Sequence, residues 1–405
     1  MKKISIILML TAFLFSLNSC DKDDDPTPLT LVSLNAGEIN LNGVDVASSV
    51  PVSTTIVATF STNIDAATAT TSNITLKRTF DSENVEFNIT VEEKVITITP
   101  SEELYGGAAY ELKVNTGLLS TDGLAIPEFS RSFITMGSFV PSGQIAYWNF
   151  EENANDIVGE YDPAGADIID IAYVPSRNEN AGTAASFNGS TSLIEIPDGD
   201  KLITSQDFSI VFWVKTDSKD KETSHFVMGC AGWYGFQYEL FSDYKGSKFA
   251  FQYALAEGSA SEDMWFPANA DLGWQGWNFA KSLNDDEMIA LLKDNWLHVV
   301  YTYNAAEKQG KLFFNGEKMK SFDFNLWPEE DVKTGVTGIK YSGDPAGNKF
   351  ALGFLQGREN RTITDDWADY SNPANNHFKG QLDDIRIFHK AITEDEIDLM
   401  YKSEK

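Results

Sequence analysis

Between residues 29 and 136, apolar side chains recur at every second position in short runs, and turn-forming pairs separate the runs. Ile56, Ala58 and Phe60 fall on one side, with Val57 and Thr59 on the other. Ile96 and Ile98 alternate with Thr97 and Thr99, and Tyr110, Leu112 and Val114 alternate with Glu111, Lys113 and Asn115. A period of two places the apolar members of a run on one face of a strand, which must then be buried against another sheet. Asn42-Gly43, Gly106-Gly107 and Asp122-Gly123 supply the turns. This spacing predicts an antiparallel sandwich of roughly seven strands over ~100 residues. Further along, Ile210, Phe212 and Val214 make one continuous apolar face, and Asn315-Gly316 is a hairpin turn signal. Thr393 with Glu396 predicts a capping box for a terminal helix ending near Tyr401. The fold class expected is all-β.

The stretch Pro51-Val52-Ser53-Thr54-Thr55-Ile56-Val57-Ala58-Thr59-Phe60-Ser61 resembles a bacterial Ig-like module of cell-surface proteins. Leu104, the run 110–114, Asp122-Gly123 and Phe133-Ile134-Thr135 fall where that family has them. The resemblance implies a spacer and brings no site. After a short linker with Pro141 the composition changes, and all nine Trp lie between Trp148 and Trp367. Four patterns here together resemble the laminin-G/concanavalin-A-like jelly roll. They are Ala146-Tyr147-Trp148-Asn149-Phe150-Glu151-Glu152; Phe187-Asn188-Gly189-Ser190 with the strand 208–215; Asn295-Trp296-Leu297-His298-Val299-Val300-Tyr301 with Lys311-Leu312-Phe313-Phe314-Asn315-Gly316; and Phe378-Lys379-Gly380-Gln381-Leu382-Asp383-Asp384-Ile385-Arg386-Ile387-Phe388. This resemblance implies that the first and last strands lie side by side. The organisation expected is a signal peptide over 1–19, an acidic tether over 20–28, an Ig-like domain over 29–136 and a laminin-G/concanavalin-A-like domain over 142–403.

At the N-terminus, Lys2 and Lys3 precede an apolar run over residues 4–17, too short for a comfortable spanning helix. It ends in Leu17-Asn18-Ser19-Cys20, which resembles the lipobox of bacterial lipoproteins and implies lipidation at Cys20. An acylated cysteine holds a membrane because each buried methylene adds ~0.8 kcal/mol. Asp21-Lys22-Asp23-Asp24-Asp25, then Pro26-Thr27-Pro28, reads as a solvated tether. It resembles the acidic export signal of surface lipoproteins, which implies an outer-membrane, cell-surface location. Asp21 directly after the cysteine also fits inner-membrane retention, but the acidic run extends well beyond that position.

The chain carries 31 Lys plus Arg against 60 Asp plus Glu, a net charge of −29. Such a surface repels nucleic acid and anionic headgroups, and suits Ca²⁺. Of the two cysteines, lipid would consume Cys20, which leaves Cys230 without an intrachain partner and excludes a disulfide framework.

Glycoside hydrolases of this fold resemble one another in a Glu-x-Asp-x-x-Glu strand, and no such motif occurs. Asp383 and Asp384 are adjacent, so in a regular strand they point to opposite faces. His298 lies within an apolar strand and reads as structural, and Cys230 reads as a small buried residue. The chain is therefore expected not to be an enzyme. By resemblance, Glu151, Asp156 and Asp383 are candidate ligands of a structural Ca²⁺, whose hard-oxygen preference they fit. Asp383 alternates in phase with Ile385 and Ile387 and is expected inward, where Arg386 or backbone N–H groups could satisfy it instead. Aromatics concentrate between residues 233 and 279 and again over 357–376. Those over 236–253 alternate with polar residues and read as strand core. Trp265, Trp274 and Trp277 lie among Gly, Pro, Asn and Asp and read as loop. Together with Trp233, Arg361, Trp367 and Tyr370 they are candidate carbohydrate-binding residues, because sugar C–H faces stack on aromatic rings. The function expected is non-catalytic carbohydrate binding at a membrane surface. The alternatives are an adhesive or structural protein with a protein partner, and a glycoside hydrolase with an unrecognised carboxylate pair.

Overall fold

The computed structural model describes residues 27–43, 45–268 and 276–405. Residues 1–26, where a signal peptide, lipidation at Cys20 and the start of a tether are expected, lie outside the described residues.

The first sandwich follows the alternation. Ile56–Phe60 buries Ile56, Ala58 and Phe60, and Ala109–Val114 buries Tyr110, Leu112 and Val114. One sheet runs in the order Ile39–Asn40, Leu31–Ala36, Ile56–Phe60, Val95–Pro100, Phe87–Glu92. The other runs Ala47–Val50, Phe129–Thr135, Ala109–Val114, Ile74–Arg78. The expectation of about seven antiparallel strands needs correction. There are nine among the described residues, and Ala47–Val50 pairs parallel to Phe129–Thr135. Short strands crossing between sheets carry too few side chains to register in a periodicity.

The second sandwich has two larger sheets. The first, here the covered sheet, runs Ala172–Pro175, Thr183–Asn188, Lys379–Phe388, Phe208–Thr216, Trp296–Asn304, Gln309–Phe314, Glu317–Asp323, Trp277–Ala280. Gln144–Trp148 also pairs with Lys379–Phe388, so the first and last strands are neighbours. The second, the open sheet, runs Ile168–Ile169, Leu193–Ile196, Phe350–Leu352, His225–Cys230, Phe236–Leu240, Ser247–Ala254, Ser259–Phe266. Ring contacts such as Phe212 to Tyr238, 5.3 Å edge to face, join the two inner faces. Each such pair adds ~0.5–1.5 kcal/mol beyond the area it buries. The Asn315-Gly316 turn forms with both φ positive, 50° and 78°, as a two-residue hairpin requires. Cys230 is fully buried against Gly199 and Asn348, in accord with its reading as a small core residue.

The outer face of the covered sheet is not free. Val211, Val300, Phe313 and Phe388 form one cluster with Ile392, Ile397 and Met400. The last two belong to the C-terminal helix Glu394–Glu404, whose capping box joins Thr393 and Glu396 as expected. The helix ends three positions beyond Tyr401. The same cluster continues into the core of the first sandwich, and Ser403 Oγ accepts from Phe139 N at 2.9 Å.

One strand departs from its expected phase. Asp384 has φ 48°, and the register against Phe208–Thr216 slips between Val211 and Trp213. This bulge reverses parity. Asp383 stands opposite Trp213 on the outer face with Arg386, while Leu382, Ile385 and Ile387 point into the core. Asp383 therefore does not point inward with Ile385, and Asp383 and Asp384 do not face opposite ways. Both bind the guanidinium of Arg177, at 2.8 and 2.6 Å.

Candidate functional site

Alternation in the open sheet separates two sets of side chains. Phe236, Tyr238 and Leu240 join the core from one strand, and Phe249, Phe251 and Tyr253 from the next. Gln237 and Glu239, then Lys248, Ala250 and Gln252, therefore lie on the outward face. Asp263 and Trp265 join them, because Asp263 pairs with Ala250 and Trp265 with Lys248. Four polar groups come together across these strands. Lys248 Nζ stands 3.7 Å from Glu239 Oε2 and 3.6 Å from Asp263 Oδ2. Gln237 Nε2 donates to Glu239 Oε2 at 3.0 Å. The strip is recessed. Gln237 is 2% exposed, and its Oε1 has no hydrogen-bond partner among the described residues. Burial pushes the carboxyls of Glu239 and Asp263 above their usual range, against the opposing pull of Lys248.

Rings flank the strip at both ends. On one side Lys248 Nζ lies 4.9 Å from the centroid of Trp265, whose ring also meets Phe241 at 5.3 Å. On the other, the turn after His225–Cys230 presents Trp233 and Tyr234, with ring centroids 6.0 Å apart. Trp233 stacks on Trp367 from the loop 357–376 at 5.7 Å and 27°. Tyr234 is 37% and Trp367 40% exposed. Gly232 joins this ladder to the strip, since a Cβ there would lie 3.2 Å from Gln237 Oε1 and 2.9 Å from Ile363. Ile363, Leu355 and Ala368 bury a small second core against Leu193 and Phe226, which fixes the loop that carries Trp367.

The sequence-predicted residues divide accordingly. Trp233, Trp367, Arg361 and Tyr370 share one end of the face. Arg361 pairs with Asp369 at 3.4 Å, and the Tyr370 hydroxyl donates to Thr191 O, so both hold the loop in place. Trp265 is near the strip but is a strand residue, within Ser259–Phe266, rather than a loop residue. Trp277 also requires correction. It opens the strand Trp277–Ala280 of the covered sheet, opposite Phe322, and packs half-buried against the main core. Trp274 lies outside the described residues. The residues that sequence reasoning missed are Tyr234, Gln237, Glu239, Lys248 and Asp263. The polar phase of the 236–253 strands was the signal that could have found the middle three.

The three candidate calcium ligands do not converge. Glu151 accepts from Thr183 N at 3.3 and 3.2 Å. Asp156 accepts from Tyr147 N, Val158 N and Tyr161 N at 2.9, 3.0 and 3.2 Å. Asp383 is taken by Arg177 and by the Ser176 hydroxyl. Donors of the chain engage each of the three carboxylates and the three do not meet, so this trio does not assemble a Ca²⁺ site. Among the described residues, no three acidic, imidazole or thiol groups converge as metal ligands would.

The histidines are structural in geometry. His298 is fully buried between Trp213 and Tyr401, at ring distances of 5.0 and 5.9 Å, and burial lowers its pKa to about 3. His225 bonds Tyr244 through Nε2 at 3.0 Å and is likewise lowered to about 3 by burial.

Residues 188–356 match the family model of the concanavalin A-like lectin/glucanases superfamily, and residues 26–135 match that of a bacterial Ig-like domain. Among solved structures, the binding domain of Paraclostridial Mosquitocidal Protein 1 is 15% identical over 64% of this chain and 52% of its own, with a TM-score of 0.41. The binding domain of botulinum neurotoxin serotype D/C is 12% identical over 65% of this chain and 52% of its own, at 0.40. Domain 4 of AbnA, an extracellular arabinanase from Geobacillus stearothermophilus solved with arabinotriose, is 20% identical over 64% of this chain and 98% of its own, at 0.35. The matched region spans about half the length of the toxin binding domains. No curated protein matches the chain.

Proposed function

We propose that this chain, which joins a bacterial Ig-like domain to a concanavalin-A-like sandwich, binds carbohydrate on the outward face of the open sheet without cleaving it. The observation that carries this reading is the ladder Tyr234–Trp233–Trp367 set beside the strip Gln237, Glu239, Lys248 and Asp263. Exposed rings offer stacking surfaces for sugar C–H faces, and the strip offers both donors and acceptors for hydroxyls. The superfamily of the matched segment is named for both lectins and glucanases, so it agrees with a carbohydrate ligand. In the same proposal Cys20 carries a lipid anchor at the outer membrane, and the Ig-like domain holds the binding face away from it. Support for that part comes from the N-terminal sequence alone. Affinity electrophoresis of the full chain in detergent against a polysaccharide panel tests the binding reading. Retardation supports it, and migration unchanged by every polysaccharide overturns it.

One observation favours a second reading, glycoside hydrolysis. Glu239 and Asp263 both approach Lys248, so their carboxylates lie no further apart than those two short distances combined. That is compatible with the ~5–9.5 Å between the carboxylates of glycosidases. Against it, the Lys248 ammonium occupies the space between them, where a scissile bond or water would sit. Release of reducing sugar by purified protein would move this reading ahead.

A further inference from the structure

We propose that the glycan taken by this face carries no anionic groups, an inference that rests on the carbohydrate reading above. The charge arrangement of the face carries it. Lys248 lies between Glu239 and Asp263, so the strip has two carboxylates for one ammonium. Arg358, on the same face, pairs with Glu195 at 2.7 Å and Asp167 at 3.2 Å. Arg361, at the ladder, pairs with Asp369. Each of these cations lies within 4 Å of at least one carboxylate, whereas Lys340, beside Gln252 at the edge of the face, donates from Nζ to Gly258 O at 3.2 Å and has no carboxylate partner among the described residues. A uronate or sulfate entering here would have to displace a carboxylate from its cation and remain beside it. Like charges in a recessed site repel strongly, because low local dielectric weakens screening. The net charge of −29 adds a long-range barrier to any polyanion.

The same groups suit a hydroxyl-rich ligand. Glu239 and Asp263 offer carboxylate oxygens to sugar hydroxyls, Glu239 Oε2 already accepting from Gln237, and Lys248 can donate a hydrogen bond outward without leaving its partners. Charge-assisted bonds of this kind are stronger than neutral ones. Selection against acidic polymers and affinity for neutral ones thus come from the same three residues.

The test is affinity electrophoresis of the full chain in detergent against two sets of probes. The neutral set is arabinan, xylan, mixed-linkage glucan and galactomannan; the acidic set is polygalacturonate, alginate and chondroitin sulfate. The expected result is retardation by a neutral polymer and none by the acidic set. Neutral binding should also change less than about twofold from low to high salt, because screening has little to act on. The double variant E239Q/D263N should lose roughly tenfold in neutral affinity and, with Lys248 freed, gain retardation by an acidic polymer. Preference of the wild type for an acidic polymer, fading with salt, would overturn the charge class and leave the carbohydrate reading standing. Failure to bind either set would overturn the carbohydrate reading itself. Should the double variant melt far below wild type, the salt series on the wild type decides.

Discussion

Arg177 Nη1 lies 2.8 Å from Asp383 Oδ2, although 206 positions separate the two residues in sequence. Its other amine reaches Asp384 at 2.6 Å, and its guanidinium lies 4.6 Å from the centroid of Trp213. Arg386 pairs with Glu404 at 2.6 Å in the same buried group, so two guanidiniums serve three carboxylates. Burial and the neighbouring Asp384 push the Asp383 carboxyl up to about 8. Burial also pushes Asp384 upward, but Arg386 and Arg177 outweigh it and hold that carboxyl low. The group fastens the C-terminal helix to the outer face of the covered sheet.

Arg177→Ala should therefore destabilise the protein by ~3–5 kcal/mol, since it strands buried carboxylates. Lys113→Ala breaks an exposed pair with Glu128 and should leave stability nearly unchanged. Denaturant melts of both variants check the contrast, and equal losses would contradict it.

Acid should destabilise the fold through His298. Its folded pKa of about 3 lies below the unfolded value of ~6.5, so the unfolded chain binds the proton first as pH falls. The stability it contributes is complete above pH ~6.5 and is lost as pH drops toward 3. Between pH 7 and 5 the loss is about 2 kcal/mol. Asp383 acts in the opposite sense: its raised pKa favours the folded state at low pH, and that contribution fades as pH rises toward 8. His298→Phe should gain stability relative to wild type, by about 2 kcal/mol, as pH falls from 7 to 5 in urea melts, since His225 and Asp383 act alike in both proteins; a difference that does not change with pH would place the acid sensitivity elsewhere.

Trp367→Ala should weaken glycan binding fivefold to tenfold, on the order of 1 kcal/mol, while moving the melt little. Its ring is 40% exposed, and its loop is held independently by Ile363, Leu355 and Tyr370. Trp265→Ala should weaken binding as well, but with some loss of stability because Phe241 and Lys248 pack on that ring. Calorimetric titration beside melting curves separates the two effects.

Chelation should leave the melting temperature unchanged, because donors of the chain itself satisfy Glu151, Asp156 and Asp383. A fall reversed by added Ca²⁺ would mean that other oxygen groups hold the ion.

Cys20→Ala should abolish partition of the protein into the detergent phase or leave the precursor unprocessed. Normal maturation with full membrane association would remove the lipid anchor from the account.

The strand faces, the Asn315-Gly316 hairpin and the Thr393–Glu396 box were legible because each depends on neighbours in sequence. The Asp384 bulge was not. It arises from the fit of Lys379–Phe388 against Trp213, and a single left-handed residue there reversed the phase that alternation assigned to Asp383. The polar strip was hidden for a related reason. Glu239, Lys248 and Asp263 come one from each of three strands, so no local pattern joins them. The aromatic search found Trp233 and Trp367, yet it also gathered Trp277, because a tryptophan among polar residues reads the same in a loop or at a strand end.

The last strand lies inside its sheet. Lys379–Phe388 separates Thr183–Asn188 from Phe208–Thr216 and also carries Gln144–Trp148. Three segments made early in synthesis must therefore wait for one made late, and a sheet of such non-local pairings forms slowly. A product truncated before residue 379 would bare strand edges facing an empty slot, the surface on which chains add to one another. Closure of this sheet thus waits on Lys379–Phe388: chains that contain it should close, and chains cut short before it should aggregate.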